Sequence, residues 1–384
     1  MFNRRLFAPL QLFLVLASLS AVLFGAPAYA QSAGLDSFIR NKMRSAEVPG
    51  LAACIIKGDQ IVWSKGYGKS NISLGTAVTP DTSFLVASVS KTITGTALMR
   101  LHEQGFFDLD ADVNTALNFA VNSPSHPNNP ITYRSLLSHT SGIKDNWTVL
   151  DANYVLGDSP IALGYFLEQY LTPGGSNYNS NRNFYSWRPE TRFGYSNMGA
   201  ALAGHMVEAL TGVPFDKFCQ KEIFRKLHLD NTSWKLSNLD VNNVAMPYSY
   251  KVSNNTFTPY GHYGFPDYPN GGLRTSVNDL SRFLIAHMNR GVYHGHRILD
   301  SETVALMKQI QYPSVDNLQG LAFYYWWANG KKRYGHSGGD WGVVSEMWYI
   351  PSEDVGVIIL TNGDAKQNPI DDILDRLFLE ANGL

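Results

Sequence analysis

Ser88-Val89-Ser90-Lys91-Thr92-Ile93-Thr94-Gly95-Thr96-Ala97-Leu98 is the stretch from which the rest of the chain is read. Val89, Ile93, Ala97 and Leu101 recur at helical spacing, and Gly105 ends the pattern, so residues 88–104 read as an amphipathic helix with Ser88 at its head. Ser88 and Lys91 stand one turn apart and point to the same side. A serine hydroxyl is a poor nucleophile until a base takes its proton, and a neutral lysine one turn away can do so. Free N–H groups at a helix start favour an alkoxide and disfavour charge on the lysine, and burial lowers the lysine pKa further. By itself the tetrapeptide equally describes a helix-capping serine and a lysine lying along the surface.

Strands flank this helix on both sides. Residues 51–56 and 60–66 are apolar, strand-like runs around Lys57-Gly58-Asp59, a hairpin signal, and residues 35–44 form a short helix before them. Helical patterns occupy 161–171, 198–210 and 215–227. Between the first two, residues 172–190 are rich in Gly, Asn, Ser and Tyr and read as a flap over a site. Strand character returns at 324–328, 343–350 and 355–361, and 370–379 is a closing helix. Strands at both ends of the chain can share one largely antiparallel sheet, which predicts an α/β chain of the α+β type. The expected division is a sheet domain from residues 31–105 and 271–384 and a mainly helical domain, carrying an active-site loop, from 106–270.

Two further motifs can complete a site around Ser88. Tyr195-Ser196-Asn197 precedes a helix; a phenol near Lys91 can relay the serine proton to a leaving group, and Asn197 can donate to a substrate carbonyl. His336-Ser337-Gly338-Gly339 stands before a strand, where small residues let a substrate backbone lie along the strand edge. The Gly339 N–H can pair with that of Ser88 as an oxyanion hole. Tyr324, Tyr325, Trp326, Trp327 and Trp341 lie near this motif, and Trp341 is the one taken as a substrate contact. Each motif has a duplicate: Ser141-Gly142-Ile143-Lys144, Tyr268-Pro269-Asn270 and His262-Tyr263-Gly264. Ser141 precedes Asp145-Asn146-Trp147 with no apolar period behind it, so the helix selects Ser88.

The 384 residues are 44% hydrophobic and 16% charged with a net charge of −1, and no long basic or acidic run argues for nucleic acid. Arg4 and Arg5, the apolar run 10–24 and Ala28-Tyr29-Ala30 have the order of a cleavable signal peptide over residues 1–30. The expectation is a periplasmic or secreted protein with no stable membrane insertion. Cys54 and Cys219 lie in apolar runs and read as unpaired core thiols. No Cys/His spacing suggests a metal, and no cofactor is expected.

Taken in this order, the three motifs resemble those of the serine penicillin-recognising enzymes. More narrowly, the chain is similar to the beta-lactamase-related serine hydrolases: class C beta-lactamases, D-alanyl-D-alanine carboxypeptidases, D-aminopeptidases and related esterases. Leu136-Leu137-Ser138-His139-Thr140-Ser141-Gly142, Phe193-Gly194-Tyr195-Ser196-Asn197-Met198-Gly199, Gly271-Gly272-Leu273-Arg274-Thr275-Ser276 and Thr361-Asn362-Gly363 extend the resemblance through nearly all of residues 31–384. It implies a beta-lactamase/transpeptidase-like fold. It also implies Ser88 as acylated nucleophile, Lys91 as its base, Tyr195 as proton shuttle, and Asn197, His336, Ser337 and Gly338 as substrate contacts. His336 takes the place of a lysine in typical beta-lactamases, and Glu190 that of a usual glycine. A histidine is mostly neutral near pH 7, and the His-x-Gly motif resembles that of the carboxypeptidase and D-aminopeptidase branch, which implies a D-alanyl-D-alanine carboxypeptidase or D-amino-acid peptidase, with a carboxylesterase or weak beta-lactamase as alternative. A peptidoglycan- or partner-binding protein without hydrolytic activity is the reading from another class.

Overall fold

The computed structural model describes residues 34–384; the expected signal peptide, 1–30, lies outside them. Seven strands form one sheet: β1 (Gly50–Lys57), β2 (Gln60–Asn71), β3 (Thr76–Ala77), β4 (Tyr324–Ala328), β5 (Lys331–Asp340), β6 (Val343–Ile350) and β7 (Val355–Thr361). Their spatial order is β4-β5-β6-β7-β1-β2-β3, with every neighbouring pair antiparallel. β1 and β7 meet at the centre, Leu51 opposite Thr361, so the two ends of the chain close one sheet.

The period-2 alternation of β1 sorts its side chains between two cores. Leu51, Ala53 and Ile55 face α1 (Leu35–Ala46) and the closing helix, Gln367–Glu380, through Ile39, Met43, Ile373 and Leu377. Ala52, Cys54 and Ile56 face the opposite way, into the core shared with α2 (Ser90–Glu103), α3 (Asn197–Thr211) and α4 (Val277–Met288). Both faces are covered, which is why β1 reads as a continuous apolar run.

The helix expected from Ser88 differs in two respects. A 3-10 turn, Ala87–Val89, precedes it, the α-helix proper begins at Ser90, and no side chain caps it. It is also buried almost all round rather than amphipathic. Its threonines are absorbed by backbone carbonyls: Thr92 donates to Val89, Thr94 to Pro269 and Thr96 to Thr92, each at 2.7 Å. A polar stripe satisfied in this way needs no solvent.

A second difference concerns the histidine motif. It precedes β6 as expected, but it also forms the end of a strand of its own, β5, which the run of Lys, Gly and Ser conceals from period reading. The segment 172–190 does not cover the catalytic cavity, since none of its residues lines it. It is tied down behind, by Asn183 Nδ2 donating to the carbonyls of Tyr170 and Asn177 and by Tyr185 N–H donating to Gly142.

Cys54 and Cys219 are both buried and unpaired. Burial pushes the Cys54 thiol up to about 12 and Cys219 upward as well, so both resist alkylation. Native protein at pH 8 is expected to show no rapid reaction with Ellman's reagent. Denatured but unreduced protein should titrate two thiols, whereas none would reveal a disulfide.

Candidate active site

The turn that carries Ser88 is held from two sides. Val86 N–H donates to the Leu273 carbonyl at 3.0 Å, and Ser345 Oγ on β6 donates to the Val86 carbonyl at 2.7 Å. Between these anchors Ala87 takes a left-handed φ of 44°. A non-glycine residue there costs on the order of 1 kcal/mol, and the strain falls immediately before the serine. Ser88 N–H, at the start of the helical turn, has no hydrogen-bond partner among the described residues.

Lys91 lies under Ser88, 2% exposed. Its Nζ is 3.0 Å from Ser88 Oγ, 2.7 Å from Asn197 Oδ1 and 2.8 Å from the Asn270 carbonyl. A neutral amine has two N–H donors and one lone pair. Two of its neighbours are obligate acceptors, so the lone pair is left for the third, the Ser88 hydroxyl. Burial lowers the Lys91 pKa to about 7, against the opposing charges of Asp145, Asp267 and Asp340. The neutral form is therefore well populated at neutral pH.

Asn197 lies away from the cavity lining. Its Oδ1 accepts from Lys91 and its Nδ2 donates to Asp145 at 2.9 Å. Asp145 also accepts from the N–H groups of Asn197 and Met198, at 3.0 and 3.1 Å, which fixes the first turn of α3 and the orientation of the amide. In this structure Asn197 holds the lysine.

Tyr195 packs its ring 4.9 Å from Lys91 Nζ, and its side chain stands beside the Ser88 hydroxyl. Burial raises its phenol pKa and the neighbouring Ser88 hydroxyl opposes this. The residue is nonetheless 38% exposed, so water in the cavity moderates the rise. His139 braces it: its Nδ1 accepts the Ser196 N–H at 3.2 Å and its ring centre lies 4.4 Å from that of Tyr195.

The opposite wall is β5. β4 ends with Tyr324 opposite Gly335, so no strand pairs with residues 336–340 on that side. Val344, opposite Gly339, uses both its N–H and its carbonyl on Thr361 Oγ1, away from β5. Gly339 is therefore in a non-hydrogen-bonded pair, and its N–H and C=O point outward from the sheet edge. Gly338 brings this edge against the serine turn: a Cβ there would lie 2.5 Å from the Val86 carbonyl and 3.0 Å from Ser88 N. The outward N–H of Gly339 and the free N–H of Ser88 thus serve one cleft.

His336 is 3% exposed, and burial, then Lys91, lowers its pKa to about 3 despite its bond to Ser337. It is neutral across the physiological range. Its Nδ1 donates to the Ser337 carbonyl at 2.6 Å, which leaves Nε2 as an acceptor. The cavity, about 310 Å³, is lined by Ser88, Tyr195, His336, Ser337, Gly338 and Gly339 together with Phe193, Tyr324 and the segment Asp316, Leu318 and Gln319. Trp341, expected here, lies elsewhere, with its ring 4.5 Å from Tyr154 and 5.9 Å from Tyr260. No group of three His, Cys, Asp or Glu side chains among the described residues could hold a metal.

Sequence reading missed Asp145, His139, Asp267 and the Asn270 carbonyl. The last sits in the duplicate Tyr268-Pro269-Asn270, and a backbone acceptor leaves no residue-type signal. Ser141 and Lys144 form no second dyad: Ser141 Oγ accepts the Ile143 N–H, and Lys144 lies over the Tyr185 ring. Glu190, where a glycine is usual, has a left-handed φ of 69° and accepts from Thr132 Oγ1 at 2.7 Å.

Gly338→Ala is expected to lower the rate of fluorophosphonate labelling of Ser88 at least about tenfold, because the added methyl displaces the serine turn. Wild-type labelling kinetics in the variant would contradict this placement.

The Beta-lactamase family profile matches residues 35–380. Protein flp of Staphylococcus aureus (strain N315) is 24% identical over 340 residues, covering 87% of this chain but only 64% of that protein, so the chain spans less than two thirds of its length. Penicillin-binding protein 4 of Amycolatopsis lactamdurans is 29% identical over 350 residues, covering 88% of this chain and 87% of that one. The fold is that of the solved D-amino acid amidase from Ochrobactrum anthropi SV3, with a TM-score of 0.72 over 91% of this chain and all of that one at 19% identity. The sheet, the cavity-lining Ser88 over a buried Lys91 and the match over residues 35–380 agree: the chain belongs to the Beta-lactamase family.

Proposed function

We propose that the protein is a serine hydrolase that cleaves amide or ester bonds through an acyl-enzyme on Ser88. The observation that carries this is Lys91 Nζ, 3.0 Å from Ser88 Oγ with both its N–H groups engaged elsewhere. Neutral Lys91 takes the hydroxyl proton as Oγ attacks the carbonyl carbon. The developing oxyanion is met by the N–H groups of Ser88 and Gly339. Tyr195, beside Ser88 and Lys91, gives its phenol proton to the leaving nitrogen or oxygen and takes up the one Lys91 removed from Ser88, so that both groups return to neutral. Water then enters, gives its proton back through the same groups, and releases the acid.

D-amino-acid amides and peptides are the substrates we favour, with small esters as alternatives. The name of the structurally similar D-amino acid amidase supports this reading, as does a neutral His336 at the position where the family's beta-lactamases carry a lysine. The order of features in residues 1–30 supports export to the periplasm or beyond.

Intact-mass spectrometry tests the proposal. Incubation with a fluorophosphonate should add the reagent mass less HF on Ser88, a penicillin that acylates it would add its whole mass by ring opening, and Ser88→Ala should show neither adduct nor hydrolysis of D-amino-acid amides or p-nitrophenyl esters. A folded wild-type protein without either adduct, or an active Ser88→Ala variant, would refute it and favour a binding protein.

A further inference from the structure

The catalytic cavity contains an acid and no cation. Its lining holds four titratable side chains: Tyr195, Tyr324, His336 and Asp316. The first two are phenols whose pKa values burial raises, and His336 is uncharged above about pH 3. Among the described residues no lysine or arginine lines the space. Arg192, next in sequence to the lining residue Phe193, stacks over Trp187, 5.9 Å from the ring centre and away from the lining. The amine beneath the site, Lys91, is engaged by Asn197 Oδ1 and the Asn270 carbonyl, and the charges of Asp145, Asp267 and Asp340 offset its own when it is protonated.

Asp316 therefore sets the sign of the field in the open part of the cleft. Its Oδ1 accepts the N–H groups of Leu318 and Gln319, at 2.7 and 2.8 Å, and so orients the segment that walls the cavity. Oδ2 has no hydrogen-bond partner among the described residues. A substrate carboxylate brought into this space would meet a like charge and find no fixed cation. An amide, an alkyl ester or an ammonium group would meet an acceptor.

We propose that Asp316 is a specificity-determining residue that restricts the cavity to acyl compounds whose group beside the reacting carbonyl is neutral or cationic, and that it disfavours those with a carboxylate there. The proposal rests on Ser88 being the acylated nucleophile. A D-amino-acid amide or an amide-capped peptide then suits the site, and a peptide with a free terminal carboxylate does not.

Substituted phenylboronic acids test this without knowledge of the substrate, since Ser88 Oγ adds to trigonal boron to give a tetrahedral adduct. We compare 3-carboxy-, 3-carbamoyl- and 3-(aminomethyl)phenylboronic acid as competitors of fluorophosphonate labelling of Ser88. The carbamoyl and aminomethyl compounds are expected to bind about tenfold more tightly than the carboxy compound, the scale of one like-charge contact at partial solvent exposure, and 0.5 M NaCl should narrow the gap. Asp316→Asn keeps the acceptor that shapes the turn but removes the charge, so it should bring the carboxy and carbamoyl compounds to within about twofold, and Asp316→Lys should reverse their order. Equal or tighter binding of the carboxy compound by wild type would overturn the proposal. So would a gap unchanged in Asp316→Asn, since a purely structural aspartate would affect all three alike. Failure of Ser88 to label at all would instead count against the acyl-enzyme reading.

Discussion

The contact between Lys91 Nζ and Ser88 Oγ is the constraint around which the rest is arranged. An amine buried to this degree would be costly as a lone cation. The fold answers with two fixed acceptors, Asn197 Oδ1 and the Asn270 carbonyl, and with three carboxylates farther out. Burial pulls the lysine pKa down and the acids pull it back, and the balance lies near neutrality. Without the acids the amine would be neutral but a weaker base; without the burial it would stay charged and have no lone pair.

The scaffold supplies this contact from distant parts of the chain. Ser88 and Lys91 come from the first third, Asn197 and its clamp Asp145 from the helical region, and Asn270 from the turn that leads back to the sheet. Gly338 and Gly339 come from a strand near the other end. β5 approaches the serine turn so closely that only a glycine fits at 338, and Ser345 on the neighbouring strand ties the turn to the sheet. The strain at Ala87 is held by these long-range bonds, so formation of the site is coupled to closure of the sheet.

Much of this was legible in the sequence, for reasons that differ by element. β1, β6 and β7 are apolar on both faces and bounded by turns, and Gly58 marks the hairpin. Ser88, Lys91 and Tyr195 are chemically distinctive residues at helix starts, and their motifs point to them. β5 escaped because its function requires small and polar residues along an open edge, which erases strand periodicity. Asp145 and the Asn270 carbonyl escaped because they act through folded proximity alone. Asn197 was identified but expected to face substrate; the clamp by Asp145, invisible in sequence spacing, turns its amide to the lysine instead. Trp341 was drawn in by nearness in sequence to Gly339, whereas it lies in the turn after β5 and packs its ring on Tyr154 and Tyr260.

The central claim is that neutral Lys91 is the base that activates Ser88. The pH dependence of the second-order rate of fluorophosphonate labelling tests it most directly. The base form exists above the lysine pKa, so the rate should fall as pH drops, with a midpoint near 7. Asp340, whose carboxyl burial raises only to about 6, is ionised near neutrality and helps hold this pKa up, so Asp340→Asn should move the midpoint to lower pH. A rate that is flat from pH 5 to pH 9, or a midpoint that Asp340→Asn leaves in place, would contradict the account.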